Sequence, residues 1–265
     1  MADQDDTVTY TVDADVATIT LRRSDAMNSL DLQTKLALRD AVHRAASDDS
    51  ARCVVLTGTG RAFSAGQDLK EHVRDLRDPD RLLSDTVEEH FNPIVTAIAT
   101  MPKPVIAAVN GVAAGAGASL AFACDFRVLA DTAGFSLAFA AIALSCDSGV
   151  SWTLPRLVGR AKAVELLMLP RTIEADEALS LGLAHQVVAA DVFEDAVAEL
   201  AQRLASGPTL ALASIKRVLA YSATHDLPES LAHEAQKMAL TGASVDHRRA
   251  VEAFLEKRSP TFEGH

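Results

Sequence analysis

The sequence predicts an α/β fold in which a core of short strands and helices is followed by an all-helical C-terminal part. Three observations predict it. Near-continuous apolar runs at 52–57, Val105–Val109 and Phe126–Ala130 read as strands buried on both faces. Glycine-rich turns and helical stretches separate them, the alternation that builds α/β cores. Beyond residue 160 the apolar spacing is mainly helical. With 265 residues, 49% of them apolar, the chain can bury a large core without staples.

The elements follow in order. Val8, Tyr10 and Val12, then Val16, Thr18 and Thr20 with Ala17, Ile19 and Leu21 between them, predict two strands joined by a turn at 13–15. Asp31 has the chemistry of an N-cap for a helix to about Ser47, with Leu32, Leu36, Leu38 and Val42 as its apolar positions. The strand at 52–57 ends at Gly58 and Gly60. A helix over 81–100 is stopped by Pro102 and Pro104. Strand Val105–Val109, a helix opened by Gly115 and strand Phe126–Ala130 come next. Helices are expected at 160–169, 174–182, 193–205, 208–222, 227–240 and 244–257, with one strand at 185–188. Without an internal repeat or linker, the chain divides into a core over 1–200 and a helical region over 201–265 that packs on the core or on a neighbouring subunit.

Composition narrows the function. Twenty-five basic against 36 acidic residues give a net charge of −11, which opposes general binding to nucleic acid or anionic membranes. The cysteines Cys53, Cys124 and Cys146 are scattered, so neither a disulfide framework nor a zinc site is expected, and the reading is cytoplasmic. The acidic N-terminus does not read as a signal peptide. The charge-free stretch 105–123 approaches membrane-span length. Asn110, Ser119, its glycines and its alanines favour a buried strand–turn–helix. The eight histidines show no ligand spacing, and no metal is expected.

Two segments carry chemistry. RAFSAGQDLKE at 61–71 and NGVAAGAGASL at 110–120 each follow a buried strand and lead into a helix. Small residues there let a ligand approach the backbone, and a helix N-terminus offers unpaired N–H groups. One N–H from each loop could converge on one oxygen and form an oxyanion hole. The second loop lacks the third glycine of a dinucleotide-binding fingerprint, since position 120 is Leu, and no P-loop is present. Asp68 and Glu71, at a helix start, read as structural. Glu89 and His90 could edge a pocket but read more simply as surface or core.

AFSAGQDLKE followed by PKPVIAAVNGVAAGAG closely resembles the two oxyanion-hole segments of the crotonase (enoyl-CoA hydratase/isomerase) superfamily. DAMNSL at 25–30, ACDFRVLAD at 123–131, LPRLVGRAKAVELL at 154–167, EADEALSLGLAHQVV at 174–188 and FLEKRSPTF at 254–262 extend the likeness over nearly the whole chain. The resemblance implies a spiral of ββα turns with a helical C-terminal oligomerisation region, and a homotrimer or dimer of trimers. It implies an acyl-CoA substrate, with no cofactor beyond the coenzyme A that the substrate carries. By resemblance the oxyanion donors are the N–H groups of Gln67 and Ala116. The CoA adenine lies near Ala65 and the Arg23 to Ala26 segment. Gly66, Asp68, Leu69, Gly115, Phe139 and Trp152 surround the substrate, and Phe254 and Lys257 reach the CoA of a neighbouring subunit.

The hydratases of the family use two glutamates, and the matching positions here are Ser119 and Phe139, neither of which can act as a base. A carboxylate stands further on, in LSCDSG at 144–149. Its surroundings resemble the isomerase branch that includes ring-epoxide isomerases of phenylacetyl-CoA breakdown, with Cys146 in place of a proline and Asp147 retained. Between apolar runs, Asp147 is expected to be partly desolvated and more basic than usual. It could instead cap the helix that begins near Gly149. The resulting expectation is a one-base isomerisation of 3-enoyl-CoA to 2-enoyl-CoA. The alternatives are a hydratase or another crotonase-type reaction, and an acyl-CoA-binding protein without catalysis. Phe135, Phe139 and Trp152 could line an aromatic-accepting pocket.

Overall fold

The computed structural model describes residues 7–265; the first six residues of the acidic N-terminus, on which the signal-peptide reading rests, lie outside them. Two sheets form the core. The first contains β1 (Val8–Asp13), β2 (Val16–Leu21), β3 (Cys53–Gly58), β5 (Val105–Val109), β7 (Phe126–Ala130) and β10 (Gln186–Val188), in the order β1-β2-β3-β5-β7-β10. Only β1–β2 is antiparallel; the other neighbours are parallel. The second has the order β4-β6-β8-β9, from β4 (Ala62–Ser64), β6 (Val112–Ala114), β8 (Gly134–Ser136) and β9 (Thr172–Glu174).

The chain winds between the sheets in a repeating path. β3 leads to β4 and α2 (Leu69–Asp75), β5 to β6 and α5 (Ala116–Ala123), and β7 to β8 and α6 (Val150–Met168). These are three ββα turns of a spiral. Every residue of β5 is buried, as its all-apolar text requires of a strand between β3 and β7. The charge-free stretch is therefore β5, β6 and α5, with all eight α5 residues buried. Among the described residues no helix is long and apolar enough to cross a membrane.

Several sequence expectations are corrected. The strands of the second sheet, which the ββα spiral implied by the resemblance requires, were not read from the sequence pattern, because each is three residues long and shows no periodicity. The helix placed at 81–100 starts at Leu83 and consists of α3 (Leu83–Thr86), a π-helical turn (Val87–Phe91) and α4 (Asn92–Thr100). That placed at 160–169 begins at Val150 and bends at Gly159, whose φ of 76° and ψ of 157° break the helical path. In α1 (Leu32–Ser47), Asp31 caps Thr34 as expected, but the buried face is Thr34, Lys35, Leu38, Ala41, Val42 and Ala45, while Leu32 is exposed.

The division at residue 200 falls inside α8 (Phe193–Ala205), which follows α7 (Ala175–Ser180) and packs on β2, β3 and β7 as part of the core. The helices after it are α9 (Thr209–Ser222), α10 (Leu227–Gly242) and α11 (Val245–Leu255). Hydrogen bonds tie α9 and the C-terminal tail to the core. Lys216 Nζ binds Asp125 Oδ2 at 2.7 Å and Ile98 O at 2.9 Å, and Arg52 reaches Thr209 Oγ1 and Phe262 O.

Candidate active site

The two glycine-bearing loops meet at the mouth of a cavity of about 800 Å³. Their approach depends on glycine. Gly66 has φ +81°, and a Cβ there would stand 2.6 Å from Ala114 O and 3.1 Å from Ala116 N. Gly115 has φ 51° and ψ −122°, a conformation that side chains bar, and it turns the chain into α5 with Ala116 as the first helical residue. The backbone on either side of Gln67 is pinned: Leu30 N–H donates to Gly66 O at 2.8 Å, and Asp68 N–H donates to Leu30 O at 3.2 Å. Among the described residues neither the Gln67 N–H nor the Ala116 N–H has a protein acceptor. Gln67, Ala116 and Asp147 all line the cavity.

Asp147 sits after the β8 turn, just before α6. Its side chain accepts from the Ser148 hydroxyl at 2.8 Å and has no other side-chain partner among the described residues. Burial pushes the Asp147 carboxyl above the usual carboxylate range, while the Ser148 bond pulls the other way. Asp147 is not a cap: the N-cap of α6 is Gly149, in a left-handed conformation and without a side-chain bond. Ser148 is buried and holds φ 51°, which keeps the turn tight. Ser119 is buried with its hydroxyl on Gly115 O at 3.1 Å, and Phe139 presents a ring to the cavity.

Of the other expected site residues, Ala65, Leu69 and Gly115 also line the cavity. Ala65 N–H donates to Met27 O at 2.9 Å, which sets Ala65 beside the 3₁₀ turn ending at Ala26. Arg23 binds Asp31 at 3.0 Å and Asp68 at 3.1 Å, bracing the flank of the first loop. Asp68 caps α2 through Lys70 N and Glu71 N. Burial pulls its carboxyl upward, but the Glu71 N–H, Ser29 and Arg23 outweigh it and hold it below the usual range. Trp152 is 47% exposed and does not line this cavity; the Arg156 guanidinium is stacked on it. Phe135 is likewise outside, buried against Phe122. Phe254 and Lys257 lie exposed at the end of α11, away from the cavity wall in this chain.

Sequence reasoning missed the roof of the cavity, built from α2 to α4. Leu83, Val87 and Phe91 line it, four residues apart, together with His72, Glu88 and Asn92. That spacing is a readable stripe, yet nothing local tells whether it faces core or ligand. His90 is buried beside Thr86 and does not reach the cavity. Among the described residues no group of three or more His, Cys, Asp or Glu is placed to hold a metal ion.

The enoyl-CoA hydratase/isomerase family profile matches residues 11–265. A 1,2-epoxyphenylacetyl-CoA isomerase of Escherichia coli is 42% identical over 253 residues, 96% of this chain and 97% of the relative. A Rhodobacter capsulatus protein with a provisional enoyl-CoA hydratase name is 41% identical, covering 97% of this chain and 98% of its own. A Mycobacterium abscessus crystal structure assigned to enoyl-CoA hydratase/isomerase superposes with a TM-score of 0.94 at 42% identity, covering 97% of this chain and all of that one (100%).

Proposed function

Since the chain belongs to the enoyl-CoA hydratase/isomerase (crotonase) family and has its spiral fold, we propose that it isomerises 3-enoyl-CoA thioesters to 2-enoyl-CoA thioesters with Asp147 as the single acid/base. The thioester carbonyl sits between the Gln67 and Ala116 N–H groups. Asp147 removes the proton from C2, the two N–H groups hold the enolate oxygen, and the same carboxyl returns a proton at C4. Donor and acceptor carbons lie on one face of a short allylic system, so one carboxyl serves both. No cofactor is needed beyond the coenzyme A of the substrate.

One observation carries this reading: among the described residues Asp147 is the one carboxylate of the cavity that is partly buried rather than exposed, and it shares that cavity with both donors. Glu88 also lines the wall but is exposed. The rings of Phe91 and Phe139 suit a ring-bearing acyl group, in line with the name of the Escherichia coli relative. Assembly as a trimer or dimer of trimers is part of this reading, since Phe254, 81% exposed, is available to a neighbouring CoA.

The test is the ultraviolet progress curve with a medium-chain 3-enoyl-CoA. Appearance of the conjugated thioester, and its loss in Asp147→Asn by about 10²–10⁴-fold in kcat with binding retained, is the expected result. The second reading is hydration of 2-enoyl-CoA, favoured by half-buried His72 at the cavity wall as a further acid–base group. A flat trace with 3-enoyl-CoA and turnover of 2-enoyl-CoA would select it. Tight binding with no turnover of either would leave a binding protein.

A further inference from the structure

Behind the first oxyanion loop lies a polar cluster that the proposed mechanism does not use. Lys35, on α1, is 1% exposed, although a lysine is among the residues least often buried. Its Nζ lies 2.5 Å from Glu71 Oε1, 2.6 Å from Thr86 Oγ1 and 3.4 Å from Gln67 Oε1. Glu71 Oε1 also accepts from Gln67 Nε2 at 3.1 Å, and Glu71 Oε2 accepts from Leu32 N–H at the start of α1. The ammonium stands 5.6 Å from the centroid of Phe91. Four elements thus meet at one ion pair: α1, the Gln67 loop, α2 and the segment from Leu83 to Phe91.

Three of these neighbours of Lys35 reach the cavity themselves. Gln67 supplies an oxyanion donor, while Thr86 and Phe91 belong to the roof. The cleft beside Lys35, Glu71 and His90 measures about 20 Å³, room for little more than one water, so bulk solvent cannot stand in for the pair. Burying two charges costs about what their attraction returns, so such a pair contributes geometry more than stability. The π-helical turn Val87–Phe91 on the other side of the pair adds a non-standard element where the roof meets it, a common sign of functional shaping.

We propose that the buried Lys35–Glu71 pair is a positioning device for the Gln67 N–H, and that through Thr86 and Phe91 it couples this donor to the roof over the acyl group. The proposal rests on the reading of Gln67 as an oxyanion donor. Lys35 and Glu71 touch no reacting atom; they act by fixing the Gln67 side chain, and with it the peptide whose N–H faces the thioester. A long acyl group that packs under Leu83 and Val87 would then tighten the donor, and a short one would not.

The experiment uses the full chain and two readouts: kcat and KM with short and long enoyl-CoA substrates, and the infrared carbonyl band of a bound saturated acyl-CoA carrying ¹³C at the thioester carbon. In the wild type this band shifts to lower frequency on binding, more for the long acyl group than for the short one. The double variant Lys35→Met/Glu71→Leu removes both charges together and leaves no uncompensated ion. Its kcat is expected to fall about 10- to 100-fold, as for misplacement of a reacting group by a fraction of a bond length or more. Its KM stays within about threefold, and the band shift shrinks. Thr86→Val removes the hydroxyl that meets Lys35 Nζ and His90 Nδ1, the hydrogen-bonded link to the roof, and is expected to erase the dependence of the shift on acyl length. If the double variant does not fold, Glu71→Gln is measured in its place, with the same expectation. A full band shift and wild-type kcat in the folded variant would overturn the positioning role; dependence on acyl length that persists in Thr86→Val would overturn the coupling. A wild type that neither shifts the band nor turns over any enoyl-CoA would remove the reading of Gln67 itself, a different result from either.

Discussion

The Ser148 hydroxyl donates to Asp147 Oδ1 at 2.8 Å, from a residue held in the left-handed region at φ 51° and followed by Gly149 at φ 76°. The bond is local, but it sets both the direction and the basicity of the cavity's partly buried carboxylate. Two opposing influences act on Asp147: burial raises its pKa, and Ser148 favours the ionised form.

Under the proposed mechanism the acidic limb of the kcat/KM profile is expected above the ordinary aspartate value of about 3.9, because Asp147 must be ionised to take the C2 proton. Ser148→Ala removes the bond that favours ionisation, so the limb moves to still higher pH with little change in KM. Rate measurements across the acidic range check both statements.

Asp147 also has a linkage consequence. Its folded pKa is raised, so between the unfolded value of about 3.9 and the folded one the native state binds the extra proton. Stability contributed by that proton is lost as pH rises through this window, and the cost of the buried charge is complete above it. Asp147→Asn is therefore expected to melt higher than wild type near neutral pH, with the difference vanishing below about pH 4. Melting curves at the two pH values decide it.

Gly66→Ala and Gly115→Ala should fail differently. At Gly66 the added Cβ meets Ala114 O at 2.6 Å and wedges the two donor loops apart, so kcat falls by about 100-fold. At Gly115 nothing lies within 4 Å, so the cost is conformational, about 1–3 kcal/mol, and appears first as a lower Tm. Parallel kinetics and thermal melts separate the two.

Lys216→Met leaves the Asp125 carboxylate without its ammonium. Burial already raises the Asp125 pKa, and Lys216 opposes that rise. Removing one partner of a fully buried pair costs roughly 3–5 kcal/mol; with side chains 13% and 24% exposed, about 2 kcal/mol is expected here. Without Lys216 the folded pKa rises further, so the loss is largest near neutral pH and shrinks as Asp125 protonates. Denaturant titrations at neutral and acidic pH measure it.

Much of this architecture was legible in the sequence. Continuous apolar text marked β3, β5 and β7, because a strand covered on both faces must be apolar on both. Glycines after those strands marked the two loops that meet at the cavity, since positive φ and close backbone approach exclude side chains. At the positions the resemblance assigns to the hydratase glutamates stand Ser119 and Phe139, which argued against the two-glutamate arrangement, and Asp147 stood out as a charge between apolar runs; these are matters of residue identity, which folding does not alter. Tertiary structure alone decided the rest. The second sheet is made of three-residue strands that no periodicity reveals, and they exist because the spiral brings β4, β6, β8 and β9 together. Trp152 was expected at the pocket and does not line this cavity, because α6 begins at Val150 and turns it to solvent. Lys35 is buried, because Glu71, Thr86 and Gln67, 36, 51 and 32 residues away, meet its ammonium. Local sequence determines what a segment can become; only contacts between distant segments determine which face is covered and which polar group finds a partner there.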